Sequence, residues 1–279
     1  MITPVTDELI DLALGEDLAF GDLTSRAVFS EEQRSTGAIE ARQNLVVCGL
    51  EVAARIFARV DPAIRVVPLR CDGDYVRAGV KVMRLRGPTV SLLAAERTAL
   101  NFLQRLSGVA TAARRYADAV KGTGVRVVDT RKTTPGMRAL ERHAVRCGGC
   151  FNHRSSLGEH VLIKDNHIAA CASLEDAVRR CRERAPHTAK IEVEAKTPAQ
   201  VRAACRSRAD VILLDNMTPR QVRAAVSLIA GRALIEVSGG ISLETIRDYA
   251  VPGVDVISVG SLTHSAPAAD LSLEIRARR

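Results

Sequence analysis

The chain has 279 residues, of which 47% are hydrophobic and only 3% aromatic, and it contains no tryptophan. That length and aliphatic content indicate a folded protein with a sizeable core and exclude a disordered chain. No apolar run approaches the roughly 20 residues that a membrane-spanning helix needs, and the beginning of the chain does not resemble a signal peptide. We therefore expect a soluble cytoplasmic protein that has no membrane partner.

The formal net charge of the chain at neutral pH is +8, which would be compatible with a nucleic-acid partner. Many arginines, however, fall on helix faces that we expect to be solvated. The sequence also has neither a basic tail nor a basic patch interleaved with aromatic residues. Small polyanionic substrates explain the charge equally well, so we expect no binding to nucleic acid.

In the first part of the chain, short extended segments alternate with helices, and glycines separate several of them. The predicted strands cover residues 38–41, 45–48, 64–69 and 80–85. The predicted helices cover residues 6–14, 50–60, 91–107 and 111–120, with a polar turn at 16–25. We interpret residues 1–108 as an N-terminal α/β sandwich domain of the α+β class.

The remainder of the chain repeats a short apolar run followed by a helix. The predicted strands cover residues 125–129, 161–164, 191–194, 211–215, 234–238 and 256–260. The predicted helices cover residues 137–146, 173–185, 198–207, 219–229 and 242–249. This succession predicts a parallel sheet covered by helices, and polar residues at nearly every strand end favour a barrel over an open doubly wound sheet. We predict an α/β architecture with an incomplete parallel (β/α) barrel of six to seven strands over 109–265. A tail from residue 266 should pack back on the N-terminal domain.

Four cations lie at or after the first two barrel strands. Arg131 and Lys132 follow the first strand, and Lys164 ends the second. Arg154 lies in the stretch between the two strands. Because the carboxyl ends of parallel strands meet at one edge of a sheet, these side chains should surround one site. Such a cluster requires an anion with several oxygen atoms.

The next four strand ends carry carboxylates and glycine-rich turns. Glu194 and Asp215 end the third and fourth strands, and carboxylates at such places hold hydroxyl groups or Mg²⁺. The last two strands run into turns whose backbone N–H groups are suited to phosphate. These turns consist of Ser238, Gly239 and Gly240, and of Val259, Gly260 and Ser261. We therefore predict a ligand with a phosphate, further anionic groups, and hydroxyls or a bound Mg²⁺.

Cys147 and Cys150 form a CxxC pair near His143 and His153, which raises the question of a zinc or redox site. There is no second CxxC pair, and the two histidines flank the cysteines too closely for the usual zinc ligand spacing. The pair also closes a predicted helix, whereas a thioredoxin-type pair opens one. We favour two reduced thiols beside a glycine turn, without bound zinc.

Several motifs of the chain resemble quinolinate phosphoribosyltransferase, also called nicotinate-nucleotide pyrophosphorylase (carboxylating). They are EDLAFGDLT at 16–24, DTRKTTPG at 129–136, GGCFNHR at 148–154 and LIKDNH at 162–167. The resemblance runs from about Leu9 to Ser265. It implies an N-terminal α/β sandwich followed by an incomplete (β/α) barrel. It also implies a reaction of quinolinate with phosphoribosyl pyrophosphate and Mg²⁺ that gives nicotinate mononucleotide, pyrophosphate and CO₂. Cys150 and Ser156 replace glycines that are frequent in the family.

The resemblance also implies residue roles. Arg131, His153, Arg154 and Lys164 would hold the two quinolinate carboxylates, and the substrate-binding set would also include Thr130. Lys132 and Lys164 would approach the pyrophosphate. Glu194 and Asp215 would hold the ribose hydroxyls and the Mg²⁺ shell. The two glycine turns would bind the 5′-phosphate. Arg97 would reach in from a neighbouring subunit, so the protein would be at least a homodimer. The expected catalytic residues are Lys132, Lys164, Glu194 and Asp215.

Two other interpretations remain open at this point. A related pyrophosphorylase-like barrel could act on a different anionic base. A phosphosugar-binding barrel without catalysis would keep the two glycine turns, but it would not need six charged groups around them. Formation of nicotinate mononucleotide distinguishes the enzyme from both.

Overall fold

The structure is a computed structural model that describes residues 3–277. It divides into two compact units that interleave along the chain. Unit 1 takes Met1–Arg114, Thr133–Gly149 and Leu262–Arg279, and unit 2 takes Arg115–Lys132 and Cys150–Ser261. The boundary predicted after residue 108 and the tail predicted from residue 266 stay predictions.

Unit 1 contains a four-stranded antiparallel sheet and a separate antiparallel pair. Its strands are β1 (Arg34–Ala41), β2 (Leu45–Val46), β3 (Arg65–Pro68), β4 (Tyr75–Val76), β5 (Lys81–Pro88) and β12 (Leu271–Ala277). The sheet has the order β12-β1-β5-β3, and β2 pairs with β4. Every second residue of β1 is buried, because alternate side chains of a strand point to opposite faces of the sheet. One face of this sheet therefore packs into a core.

Five helices begin in unit 1. They are α1 (Pro4–Leu18), α2 (Leu23–Val28), α3 (Leu50–Val60), α4 (Thr89–Ala119) and α5 (Arg138–Cys147). The polar turn predicted at 16–25 is shorter than predicted and covers residues 19–22, because α1 continues to Leu18 and α2 begins at Leu23. The start of α2 is stabilised by Asp22, whose side chain accepts a hydrogen bond from Ser25 N–H at 2.9 Å. Such an aspartate cap satisfies a backbone donor that the helix leaves unpaired.

The two helices predicted at 91–107 and 111–120 are one helix, α4. Gly108 lies between the two predicted segments, and its place within the helix has a packing reason. A Cβ atom at Gly108 would lie 2.0 Å from the carbonyl oxygen of Pro267. Only glycine permits so close an approach of another backbone. The apolar residues that form a stripe along this helix, from Leu92 to Leu106, are buried.

Unit 2 is built on six parallel strands, and it confirms the prediction of an incomplete (β/α) barrel. The strands are β6 (Arg126–Val128), β7 (Val161–Ile163), β8 (Ile191–Ala195), β9 (Val211–Asp215), β10 (Leu234–Ser238) and β11 (Val256–Ser258). Their order is β6-β11-β10-β9-β8-β7. β6 and β7 follow one another in the chain but lie at opposite edges of the sheet. The sheet is therefore not closed, and its gap falls between these two strands.

Helices connect most of the strands of unit 2. They are α6 (Asp165–Ala169), α7 (Leu174–Arg184), α8 (Pro198–Arg206), α9 (Pro219–Ile229) and α10 (Ile246–Tyr249), with α11 (Ser261–His264) after the last strand. The side chains of Ser173, Thr197 and Thr218 accept backbone hydrogen bonds at the starts of α7, α8 and α9. The helix predicted at 242–249 begins only at Ile246, because residue Ser242 opens a turn in which its N–H donates to Thr245 Oγ1.

The strand register aligns the carboxyl ends of the sheet. Ser258 pairs with Val128 on one side and with Ser238 on the other, and Ser238 pairs with Asp215. Residues that follow these strands consequently share one edge, which we call the mouth of the sheet. In residues 3–277, no helix has both the length and the apolar character needed to cross a membrane.

Candidate active site

Asp129, directly after β6, positions the segment that carries His153. Its side chain is fully buried. One carboxylate oxygen accepts the backbone N–H of His153 at 2.8 Å, and the other accepts the Asn152 side-chain amide at 2.6 Å. Phe151 adds a parallel bridge to Val128 at the end of β6. Although His153 and Arg154 lie outside any regular strand, they are thus fixed at the mouth.

Arg154 is a buried cation next to another cation. Its side chain is enclosed, with the residue only 7% exposed, and its Nη1 donates to the carbonyl oxygen of His160 at 3.0 Å. Burial and the positive charge of Arg131 both lower the pKa of Arg154. Two guanidinium groups in such surroundings destabilise each other unless an anion joins them. This part of the mouth therefore favours an anionic ligand.

His153 contributes a further positive charge. Its Nε2 lies 3.3 Å from Glu192 and 3.4 Å from Glu236, two carboxylates that are themselves almost fully buried. Burial disfavours the imidazolium, but the attraction of the two nearby carboxylates outweighs burial and raises the pKa of His153 to about 10. His160 binds the same Glu192 at 3.3 Å. His153 is consequently protonated at neutral pH.

Two carboxylates and two lysines face one another at the ends of β8 and β9. Lys164 lies 3.8 Å from Glu194. Lys196 lies 3.5 Å from Glu194 and 3.7 Å from Asp215, and it bonds Asp165 at 2.8 Å. Burial, followed by the negative charge of Asp215, raises the pKa of Glu194. Two acids this close form a site that gains from an additional cation or from hydroxyl donors.

The two predicted phosphate turns follow β10 and β11. Gly239 and Gly240 both have positive φ, at 99° and 62°. A Cβ at Gly239 would meet the side chain of Asn216 at 2.4 Å, so the turn requires glycine there. In the second turn, the N–H of Val259 donates to Val128 at 2.9 Å, and its side chain is buried. Ser261 bonds the hydroxyl of Tyr116 at 3.2 Å.

The other predicted site residues are placed as follows. Thr130 and Lys132 follow β6, and the Thr130 hydroxyl accepts the N–H of Lys132 at 3.1 Å. Arg97 lies on an exposed face of α4, in the part of that helix that belongs to unit 1. All the other predicted site residues belong to unit 2. The unit 2 residues gather at the mouth, whereas Arg97 belongs to a different unit.

Sequence reasoning missed several functional contacts of the mouth. Lys196 follows β8 directly, so its position at a strand end was an available signal. Glu192 lies two residues before Glu194 on the same strand, and this spacing places both on one face of the sheet. The pairing of Glu192 and Glu236 with His153 had no signal in the sequence, because it joins residues from three separate segments.

Family models match nearly the whole chain. The N-terminal domain of quinolinate phosphoribosyl transferase matches residues 22–107, and the C-terminal domain of the same family matches residues 109–274. The nicotinate-nucleotide pyrophosphorylase [carboxylating] of Mycobacterium leprae is 40% identical over 274 residues, which are 96% of each chain. Quinolinate phosphoribosyltransferase [decarboxylating] 2a of Nicotiana tabacum is 37% identical and covers 96% of this chain and 81% of its own.

A solved structure is similar to this chain over its whole length. The crystal structure of NadC from Streptococcus pyogenes has a TM-score of 0.95 to this chain and is 38% identical in sequence. The match covers 100% of this chain and 99% of that one. The similarity therefore includes both units of the structure.

Proposed function

We propose that this chain, which belongs to the quinolinate phosphoribosyltransferase family, transfers the phosphoribosyl group of phosphoribosyl pyrophosphate to quinolinate. The products are nicotinate mononucleotide, pyrophosphate and CO₂, so the reaction is a decarboxylating pentosyl transfer in NAD biosynthesis. The observation that carries the proposal is the mouth of the parallel sheet, where cations and a carboxylate pair lie at neighbouring strand ends. Parallel barrels place their catalytic residues at this edge.

Quinolinate binds on the cationic side of the mouth. Arg131, His153, Arg154 and Lys164 hold its two carboxylates. The lowered pKa of Arg154 supports this role, because it reflects burial and the repulsion by Arg131, and a dianionic ligand relieves that repulsion. His153 keeps its proton through Glu192 and Glu236, so both ring nitrogens are donors at neutral pH and His153 can donate a hydrogen bond to a substrate carboxylate.

Phosphoribosyl pyrophosphate binds across the other strand ends. Glu194 and Asp215 accept hydrogen bonds from the ribose hydroxyls. The turns after β10 and β11 bind the 5′-phosphate through backbone N–H groups, and Lys132 approaches the pyrophosphate together with Lys164 and the hydroxyl of Thr130. Positive charge at the leaving group should contribute most to the rate, because that is where negative charge develops in the transition state.

The donor set fits Mg²⁺ as the cofactor. Glu194 and Asp215 supply hard carboxylate oxygens, and the raised pKa of Glu194 beside Asp215 reflects a repulsion that a divalent cation would relieve. These two residues would hold the ion directly or through the ribose and water. When bound, Mg²⁺ supplies charge neutralisation for the pyrophosphate leaving group.

The proposed chemistry needs no nucleophilic side chain. Departure of pyrophosphate leaves positive charge on the ribose, and the pyridine nitrogen of quinolinate forms the new bond to the anomeric carbon. The ring nitrogen is then positively charged. The bond from the ring to the adjacent carboxylate breaks, CO₂ leaves, and the positive ring stabilises the electron pair that remains until the carbon takes up a proton.

Arg97 completes the carboxylate site of a second copy of the chain, so the active form is at least a homodimer in the cytoplasm. Its exposure on α4 supports this role, since Arg97 lies off the stripe that the helix buries. Neither nucleic acid nor a membrane takes part.

The test is an assay of CO₂ release from carboxyl-labelled quinolinate with phosphoribosyl pyrophosphate and Mg²⁺, with nicotinate as the control substrate. We expect quinolinate to react and nicotinate not to react. Nicotinate lacks one carboxylate, so it would lose the charged hydrogen bonds that this group makes, each worth about 1.5–3 kcal/mol. Comparable turnover of nicotinate would reject the proposal, and so would binding of phosphoribosyl pyrophosphate without formation of the mononucleotide.

A further inference from the structure

Unit 1 contains a compact cluster of four metal-ligand side chains that the proposed reaction does not use. The cluster, which we call the Cys48 cluster, consists of Cys48, Asp72, His143 and Cys147. One ligand atom from each residue lies within 4.8 Å of every other. We propose that this cluster binds one structural zinc ion.

The distances within the cluster fit a tetrahedral ion. Zn–S bonds of about 2.3 Å and Zn–N or Zn–O bonds of about 2.0–2.1 Å keep the ligand atoms roughly 3.3–3.8 Å apart. His143 Nε2 lies 3.2 Å from Asp72 Oδ2 and 3.2 Å from Cys147 Sγ. Cys48 Sγ lies 3.8 Å from Asp72 Oδ2. A zinc ion can thus enter with only small side-chain movements.

The surroundings hold the ligands in place. Asp72 turns its Oδ1 to the backbone N–H groups of Gly49 and Leu50, at 3.0 and 3.1 Å, which leaves Oδ2 directed into the cluster. The backbone of Cys48 exchanges hydrogen bonds with the hydroxyl of Ser107. Outer partners of this kind orient metal ligands and raise affinity.

Helix α5 supplies the other two ligands from one face. His143 and Cys147 are four residues apart, so their side chains are neighbours on the helix. The helix is also fixed near its beginning, because the buried Glu141 binds Arg105 at 2.6 Å. The last turn of α5 is therefore presented to the cluster in a defined orientation.

The ligand types select zinc and a structural role. Two sulfurs and one imidazole in a tetrahedral arrangement are typical of Zn²⁺ rather than of Mg²⁺ or Ca²⁺. All four positions are filled by protein atoms, so no position is left for a substrate or an activated water. The ion would join the start of α3, the loop between β3 and β4, and the end of α5, segments that are far apart in sequence. Linking distant segments in this way stabilises the folded state.

This site differs from the zinc site considered from the CxxC motif. Cys150 is not a member of the Cys48 cluster, and Cys48 and Asp72 replace Cys150 and His153 as ligands. The interpretation of the cysteine pair as two thiols beside a glycine turn did not include these distant residues.

The test uses the full chain, freed of metal by a chelator under reducing conditions and titrated with Co²⁺ alone. We expect one cobalt ion per chain, with the intense visible bands of tetrahedral Co²⁺ and a thiolate charge-transfer band. We also expect Zn²⁺ to displace the Co²⁺ and to raise the melting temperature of the protein. Cys147→Ser should remove the charge-transfer contribution of one thiolate. It should also weaken zinc binding by more than the roughly 10–100-fold that loss of an outer-shell partner costs.

Cys71→Ser is the matched control. Cys71 is exposed and lies next to Asp72 in the same loop, so the variant should bind cobalt and zinc like the wild type. If Cys147→Ser does not fold, two other measurements test the proposal. These are metal binding by His143→Gln and the number of metal ions that each wild-type chain binds. Octahedral cobalt spectra, less than one zinc per chain at saturation, or unchanged binding after loss of a ligand would overturn the proposal. Activity does not enter the test, so its outcome is independent of the proposed reaction.

Discussion

The position of His153 between the buried carboxylates Glu192 and Glu236 leads to a pH-dependent stability. Its pKa is raised from 6.5 to about 10, because Glu192 and Glu236 outweigh the effect of burial. A raised pKa means that protonation favours the folded state. The stabilisation is therefore complete below about pH 6.5 and is lost as the pH rises toward about 10.

We predict that the melting temperature of the wild type falls more over this pH range than that of His153→Gln. Thermal unfolding followed by circular dichroism at several pH values gives, for each protein, the slope of the melting temperature against pH. His187→Gln, which replaces an exposed histidine, is the control and should follow the wild type. Parallel slopes for the wild type and His153→Gln would contradict the assignment of the raised pKa.

The carboxylates at the ends of β8 and β9 should act on the sugar and the metal. Asp215→Asn should raise the KM for phosphoribosyl pyrophosphate about tenfold or more, since hydrogen bonds to charged groups are worth about 1.5–3 kcal/mol. It should also raise the Mg²⁺ concentration needed for half-maximal activity, and Glu194→Gln should have similar effects. Steady-state kinetics with each substrate varied in turn gives these values.

Glu183→Gln, an exposed acid paired with Arg179 on α7, provides a matched control and should leave all parameters unchanged. The roles assigned to Glu194 and Asp215 would be wrong if quinolinate affinity collapsed in their variants while the metal requirement stayed the same.

Single residues show how far the sequence predicts the site. Charges at strand ends were sufficient to predict that Arg131, Lys164, Glu194 and Asp215 lie at or just after the carboxyl ends of parallel strands, at one mouth. The sequence could not predict that Asp129 holds the segment of His153, because this contact depends on the path that the chain takes after α5, where residues 148–160 form no helix or strand. Pairing between distant segments is fixed by tertiary packing, not by local periodicity.

At the scale of one helix, packing at Gly108 outweighs the intrinsic preference of a helix for alanine. Alanine is the better helix former by about 0.5–1 kcal/mol, but a Cβ at this place would lie 2.0 Å from Pro267. We predict that Gly108→Ala destabilises the protein by about 1–3 kcal/mol, as overpacking does. Denaturant unfolding provides the measurement.

The control for this prediction is Gly15→Ala in α1, where no atom lies within 4 Å of the added Cβ. At Gly15 only the higher helix propensity of alanine acts, and we expect the substitution to raise the free energy of unfolding by about 0.5–1 kcal/mol. Equal effects of the two substitutions would show that the contact with Pro267 does not matter.

The elements of unit 2 were predicted more accurately than those of unit 1. Strands β9 and β10 and helix α9 have the predicted bounds, because continuous apolar runs and capping residues mark them. Strands β4 and β12 and helices α2, α6 and α11 were not predicted. Most of these are short or amphipathic only in part, and β12 depends on pairing with β1, which is distant in sequence.

At the scale of the whole molecule, the proposed role of Arg97 predicts complementation between inactive chains. Arg97→Ala and Lys164→Ala should each fold and be nearly inactive as homodimers. Each mixed dimer would contain one complete site, made from the intact Arg97 of one chain and the intact Lys164 of the other. With about half of the dimers mixed, the activity should return to about a quarter of the wild-type value.

The measurement is activity after joint unfolding and refolding of the two variants, with subunit exchange confirmed by mass spectrometry of differently labelled chains. Each variant refolded alone provides the control. A mixture that stays as inactive as its parents would mean that Arg97 does not serve the site of a partner.

The strand order of unit 2 has an evolutionary consequence. From edge to edge the sheet runs β7, β8, β9, β10, β11 and β6, and the residues after these strands are a cation, two acids, two glycine turns and further cations. Under the proposed function, the chain therefore recognises the base at the two edges beside the gap, and the sugar phosphate at the four strands between them. Substitutions of Arg131 and Arg154, which are assigned to the base alone, can change the accepted base while the ribose and the 5′-phosphate are still bound in the same way. A barrel of this kind can thus acquire a new base specificity in small steps, each of which keeps one half of the substrate pair in place.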